Sequence, residues 1–186
     1  MKTLKQYIKE SLLDDEEELG DLGENIKDII KQFLKDNYDG NFQYEISGEP
    51  DEDGKYIVDC KGSVRVLNKK IVDLTNEHFV FGEVTGDFYC SYCSSLTSFD
   101  GAPKEVGGDF YCSYCSSLTS LKGAPKKVDG EFNCRYCSSL TSLNGAPKIV
   151  DGSFHCSRCK KQFTKEDVLK VSKVKGSIYT SVFDDI

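Results

Sequence analysis

The sequence contains little of what an enzyme, a membrane protein or a nucleic-acid-binding protein requires. Its 186 residues include two histidines and no phosphate-binding loop, nucleophile elbow or H-E-x-x-H motif. No apolar run approaches the ~18 residues of a membrane span. Lys and Arg number 24 against 31 Asp and Glu, and the formal net charge of −7 disfavours binding along a phosphate backbone. We therefore expect a soluble, non-enzymatic protein with neither nucleic acid nor membrane as partner.

A secretory signal is also missing from the N-terminal residues. Lys2, Lys5 and Lys9 interrupt the apolar positions there, whereas a signal peptide has a continuous apolar region. The nine cysteines are therefore expected to be reduced thiols in a cytosol rather than disulfides.

A 22-residue repeat dominates the sequence. Copies of V-x-G-x-F-x-C-x-x-C begin at Val84, Val106, Val128 and Val150, and the first three continue into L-T-S-x-x-G-A-P. A fixed period of this size predicts a solenoid, and the apolar positions superimpose on the leucine-rich-repeat template with Phe and Cys in place of strand Leu. The predicted class is α+β: a short leucine-rich-repeat-like β-solenoid with one parallel strand per coil.

Each copy carries a C-x-x-C pair, whose role decides the kind of function to expect. The pairs are Cys90/Cys93, Cys112/Cys115, Cys134/Cys137 and Cys156/Cys159. Strand alternation turns Phe88 and Cys90 to the same inner side, and the second Cys points inward after the bend. Weaker flanking copies hold Val64 and Val66, or Ile178 and Thr180, at these positions, with Phe183 at the second Cys position. Such replacements indicate buried packing sites, because free Cys behaves as a small hydrophobe.

Zinc is the alternative for these thiols. The spacing C-x2-C-x18-C-x2-C fits four-thiolate sites, and two sites would use all eight cysteines. The three linkers are equally long and nearly identical, however, whereas paired sites would distinguish linkers within a pair from the linker between pairs. Packing is therefore the preferred interpretation, with zinc kept as the alternative cofactor. A redox role is disfavoured, because redox C-x-x-C motifs lie at helix N-termini.

Both ends of the repeat array have features of caps. Apolar residues at helical spacing predict a helix over 24–37, and alternating residues predict strands over 42–46 and 56–60. Thr164 and Asp167 form a capping-box pattern that begins a short helix. The predicted organisation is an N-terminal helical and acidic segment (1–20), an α/β cap (21–61) and the solenoid with its C-terminal cap (62–183).

The units DFYCSYCSSLTSFDGAPKEVGG and EFNCRYCSSLTSLNGAPKIVDG resemble a leucine-rich-repeat family frequent in uncharacterised proteins of large tailed bacteriophages. In that family Asn is common where this chain has the second Cys. The resemblance covers about residues 62–183 and implies a phage-encoded solenoid, located in the host cytoplasm or the virion. Residues 1–13 also resemble the capsid-targeting segments of internal head proteins in T-even-type phages, with Ile8-Lys9-Glu10 as the processing site. A packaged virion protein is therefore a further alternative.

The predicted binding residues lie on the outward side of the strands and in the turns that follow. They are Tyr89, Tyr92, Tyr111, Tyr114, Asn133, Arg135, Tyr136, His155 and Arg158. Tyr and Arg often contribute most of the energy at protein interfaces. Asp87, Asp109 and Glu131 border the row, which suggests a partner with apolar groups and positive charge. The competing interpretation is that stacked tyrosines only stabilise the sheet. His78 is expected to be exposed in a connection.

Overall fold

The computed structural model describes residues 22–181, in which two helices and fourteen short strands build a solenoid. Helix α1 spans Leu22–Asn37 and α2 spans Lys165–Leu169. The strands are β1 (Tyr38–Asp39), β2 (Phe42–Ile46), β3 (Tyr56–Gly62), β4 (Val64–Val66), β5 (Phe79–Val84), β6 (Phe88–Tyr89), β7 (Glu105–Val106), β8 (Phe110–Tyr111), β9 (Lys127–Val128), β10 (Phe132–Asn133), β11 (Ile149–Val150), β12 (Phe154–His155), β13 (Lys173–Val174) and β14 (Ile178–Tyr179).

The coils form two seven-stranded sheets. The first has the order β1-β4-β6-β8-β10-β12-β14 and the second the order β13-β11-β9-β7-β5-β3-β2. Each central coil thus gives one strand to each sheet, so the expectation of one strand per coil is wrong. The missed strands of the central coils, such as Glu105–Val106, are two residues long, and two residues are too few for a visible alternating pattern. The six-residue strand Phe79–Val84 was also missed.

The register of the first sheet confirms the sequence alignment of the repeats. Phe88 pairs with Phe110 and Phe132 with Phe154, so successive coils place identical residues above one another. The weaker copies also align as expected, because Val64 pairs with Phe88 and Ile178 with Phe154. Phe183 lies outside the described residues.

The core is a set of ladders that run along the solenoid. Phe88, Phe110 and Phe132 are fully buried, and their rings stack at centroid distances of 5.5 Å. Leu96 and Leu118 are buried on the next corner. Because the central coils bury the same positions, each of them adds one residue to every ladder.

The back of each coil turns at the glycine of the G-A-P sequence. Gly101 has φ +88°, a region in which only glycine is unstrained. A Cβ at this position would lie 2.3 Å from the carbonyl group of Leu74 in the preceding coil. Glycine is thus required both for the turn and for the close approach of the coils.

The predicted caps are present at both ends. Helix α1 starts two residues earlier than expected and buries Ile30 and Leu34 against the N-terminal coil. Strands β2 and β3 are present where strands were expected, and they form an antiparallel hairpin. At the other end, Thr164 caps α2 with the predicted capping box to Asp167. Within residues 22–181, neither helix is long and apolar enough to cross a membrane.

Candidate functional site

The cysteines line the interior of the solenoid. All eight repeat thiols are unpaired by disulfides, and seven of them are fully buried, with Cys159 half-buried. Cys115, Cys137 and Cys159 each donate a hydrogen bond to a backbone carbonyl of the preceding coil, at 3.2 to 3.3 Å. In three of the four pairs the second Cys therefore satisfies a carbonyl of the preceding coil at the turn. This arrangement matches the predicted packing ladder.

Burial governs the ionisation of these thiols. It raises the pKa of Cys112 well above its ordinary value, and it raises the pKa of Cys137 to about 12. The exception is Cys159, whose pKa is lowered by its interaction with the side chain of Cys134. Among residues 22–181, no group of three or more His, Cys, Asp or Glu side chains is placed to hold a metal ion. Zinc ligation stays an alternative that metal analysis has to test.

The outward residues of the first sheet form one row, which we call the strand row. It contains Arg65, Tyr89, Tyr111, Asn133, His155 and Tyr179, in register from coil to coil. Tyr89 and Tyr111 stack at 5.1 Å, and Arg65 lies 5.2 Å from the Tyr89 ring centroid. The row is half-buried along most of its length.

The acids beside the strand row are committed to internal hydrogen bonds. Tyr89 and Tyr111 donate their hydroxyls to Asp87 and Asp109 at 2.7 Å. The carboxylate of Asp87 also accepts a hydrogen bond from the backbone N–H of Asp109. The carboxylate of Asp109 in turn accepts one from the backbone N–H of Glu131. The hydrogen bond from the Tyr111 hydroxyl to Asp109 raises the pKa of Tyr111 well above its ordinary value. The carboxylates beside the strand row therefore have a structural role, since they order the tyrosines and link successive coils.

Two of the predicted binding residues belong to this internal network. Asn133 is 3% exposed, so its expected exposure is wrong, because the short amide folds down to donate to Glu131 and to accept from Ser113. His155 stacks on Tyr179 at 4.3 Å and lies 3.1 Å from Glu131. Burial opposes ionisation of Glu131, but hydrogen bonds from His155 and Asn133 hold its pKa below the usual value.

A second row occupies the turns that follow the strands, and we call it the tyrosine ribbon. It consists of Tyr92, Tyr114, Tyr136 and Arg158. The tyrosine rings stack at 4.7 and 4.5 Å with nearly parallel planes, and the Arg158 guanidinium lies 5.2 Å from the Tyr136 centroid. Tyr92 is 61% and Tyr114 40% exposed. The ribbon is thus ordered by stacking and open to solvent.

Every residue of the tyrosine ribbon has a left-handed backbone. Their φ angles are 63°, 61°, 59° and 56°, and these are the positive-φ non-glycine residues of the described chain. Gly, or Asn to a lesser degree, is the usual residue in this region, where a bulky side chain costs on the order of 1 kcal/mol. Local backbone strain of this kind is common at functional sites. Stacking of each aromatic pair stabilises the fold by about 0.5–1.5 kcal/mol, which offsets this strain.

The remaining predicted residues are placed elsewhere. Arg135 lies beside the ribbon and donates its Nε–H to Asn133. His78 is half-buried rather than exposed, and burial lowers its pKa. Lys104, Lys126 and Lys148 are exposed in equivalent positions next to the second sheet. The segment predicted to be a targeting signal lies outside the described residues.

Two exposed apolar side chains in the first coil were missed from the sequence. Leu67 is 44% and Val72 57% exposed, at the coil that precedes Tyr92. Backbone pairing brings Val72 next to Thr97, in the same coil as Tyr92. The divergence of this coil from the repeat hides both residues, because the spacing that aligns Val64 with Phe88 places Val72 on the buried Leu96.

Comparisons with protein-family models, with curated proteins and with solved structures return no match. The resemblance to the phage repeat family therefore stays a proposal, and the functional argument depends on the surface described above.

Proposed function

We propose that this protein is a non-enzymatic, phage-encoded binding module that recognises another protein through the tyrosine ribbon. The phage origin rests on the sequence resemblance of the repeats alone. The binding role rests on one observation: aromatic side chains occupy left-handed turn positions in three successive coils, exposed at Tyr92 and Tyr114 and half-buried at Tyr136. A sequence selected for stability alone would favour Gly or Asn there.

The ribbon has the properties of an interface that binds with little loss of entropy. Its rings are held by their neighbours before a partner arrives, so few rotamers remain to be frozen. The strand row, in contrast, uses its tyrosine hydroxyls within the fold. Of the tyrosines predicted to bind, those of the ribbon are therefore the ones we assign to the partner, and Tyr89 and Tyr111 are assigned to stability.

The test is affinity capture from phage-infected cell lysate on immobilised protein. The variant Tyr92→Asn/Tyr114→Asn suits a left-handed turn and should fold with an unchanged thermal midpoint. We expect it to lose specific partners that the wild type retains, since one hot-spot side chain contributes about 2 kcal/mol. The matched control, Lys104→Asn/Lys126→Asn, changes exposed residues beside the other sheet and should retain them. Equal capture by the wild type and the ribbon variant would refute the assignment.

A further inference from the structure

The turns that carry the tyrosine ribbon contain positive charge only. In residues 67–70 and the corresponding stretches 91–95, 113–117, 135–139 and 157–161, there is no Asp or Glu. The charged residues in these turns are Lys69, Lys70, Arg135, Arg158, Lys160 and Lys161. The whole chain has a formal net charge of −7, so this corner departs from the overall composition.

Several of these cations are available to a partner. Lys70, Arg158 and Lys160 are exposed. Lys69 donates to the carbonyl of Val66, and Lys161 lies 3.6 Å from Asp167. The available charges therefore stand at the two ends of the ribbon, with Lys70 before Tyr92 and Arg158 and Lys160 after Tyr136.

The orientation of the rings favours the same sign of partner. Tyr114 has both faces covered by its neighbours, at 4.7 and 4.5 Å. The open side of the ribbon consequently presents ring edges and hydroxyl groups. Aromatic edges carry partial positive charge, and a phenol donates a hydrogen bond, so both groups favour anionic oxygen.

Covered ring faces argue against a single-stranded nucleic acid. Such ligands bind by stacking each base on an open aromatic face, which the interior of this ribbon does not offer. The exposed Leu67 and Val72, in the coil that precedes Tyr92, add an apolar contact suited to aliphatic or aromatic side chains. A ligand with carboxylates interspersed among apolar groups would match both the positive charges and the exposed apolar side chains of this surface.

We infer that the tyrosine ribbon docks an acidic peptide segment in which Asp and Glu alternate with apolar residues. This inference rests on the proposed function, because it takes the ribbon to be the binding surface. The carboxylates pair with Lys70, Arg158 and Lys160 and accept hydrogen bonds from the tyrosine hydroxyls, while the apolar side chains cover the ring edges and Leu67.

The experiment measures fluorescence anisotropy of three labelled probes with the full chain. One is a twelve-residue peptide in which Leu and Phe alternate with Asp and Glu, the second has Asn and Gln in place of the acids, and the third is a twelve-nucleotide oligo-dT. We expect the acidic peptide to bind at least tenfold more tightly than either other probe. The variant Lys70→Gln/Arg158→Gln should weaken it about tenfold. The control Lys126→Gln/Lys148→Gln, which removes the same charge beside the other sheet, should not.

Where the acidic peptide binds, three results would overturn the inference. They are equal affinity for the acidic and amide peptides, tighter binding of oligo-dT, and equal weakening by the ribbon and control variants, which would mean general charge attraction. If the acidic peptide fails to bind while Tyr92→Asn/Tyr114→Asn still abolishes capture from lysate, the acidic partner is rejected and the binding role of the ribbon stands. If the acidic peptide fails to bind and Tyr92→Asn/Tyr114→Asn also leaves capture from lysate unchanged, both the inference and the proposed function are rejected.

Discussion

The rings of Tyr114 and Tyr136 stack with centroids 4.5 Å apart and planes 4° apart, although both residues have a left-handed backbone. Partial burial beneath the neighbouring rings raises the pKa of Tyr114. Electrostatic interaction with the adjacent Tyr136 and Tyr92 raises this pKa further. Backbone strain and ring stacking thus act in opposite directions at the same residues. Separating the two effects distinguishes a ribbon kept for stability from one kept for binding.

The first prediction concerns the backbone at Tyr92. Tyr92→Gly and Tyr92→Ala remove the same stacking contact with Tyr114, but only glycine relieves the left-handed strain. We expect the glycine variant to be more stable than the alanine variant by about 1 kcal/mol. Urea unfolding followed by circular dichroism measures the difference. Equal stabilities would mean that this turn carries no strain.

The second prediction concerns the acids of the strand row. Asp109→Ala leaves the hydroxyl of Tyr111 and the backbone N–H of Glu131 without their acceptor, and should cost about 2 kcal/mol. The control Asp129→Ala removes an exposed partner of Lys127 and should cost less than about 1 kcal/mol. Chemical denaturation of both variants provides the comparison. A loss no greater for Asp109→Ala than for the control would show that the acids face the solvent or a partner instead.

The third prediction concerns Cys112. Cys112→Val should fold with a modest loss, because Val66 fills the corresponding position in the first coil and is buried there. Cys112→Asp should be far more destabilising, since a buried unpaired carboxylate is costly to desolvate. Thermal unfolding of the two variants tests this. Equal loss with Val and Asp would indicate that the thiol is a metal ligand.

The fourth prediction concerns alkaline pH. Burial raises the pKa of Cys60 and Cys137 to about 12, against about 8.5 for an unfolded thiol. Above pH ~8.5 the native state therefore binds more protons than the unfolded chain, so this stability is present below pH ~8.5 and is lost as pH rises toward 12. Each such thiol contributes a slope of about 1.4 kcal/mol per pH unit. Denaturation between pH 7 and 10.5 should show a steep decline, and a flat profile would contradict the buried ladder.

The solenoid was predictable because its repeat is long, regular and strongly apolar. The alignment of Phe88 with Phe110, and of Val64 with Phe88, follows from sequence spacing alone. The central strands of the second sheet were not predictable, since strands such as Lys127–Val128 form only because a neighbouring coil supplies hydrogen-bond partners. That information lies in the stacking of coils and not in the local sequence.

The candidate surface was predictable in composition but not in its division into two rows. Tyr89 and Tyr92 are similar in sequence context, yet the hydroxyl of Tyr89 bonds to Asp87 while Tyr92 remains exposed. The difference arises from the left-handed turn at Tyr92. A positive φ at a bulky residue runs against ordinary backbone preference, so no propensity argument predicts it.

The account depends on the eight repeat thiols being the packed interior of a binding scaffold, and metal analysis tests this most directly. Protein purified without chelator should contain far less than one zinc per chain by elemental analysis, and its thermal midpoint should be unchanged in EDTA, because buried protonated thiols stabilise the coils without metal. A stoichiometric content of one or two zinc ions, with unfolding when they are removed, would contradict the account.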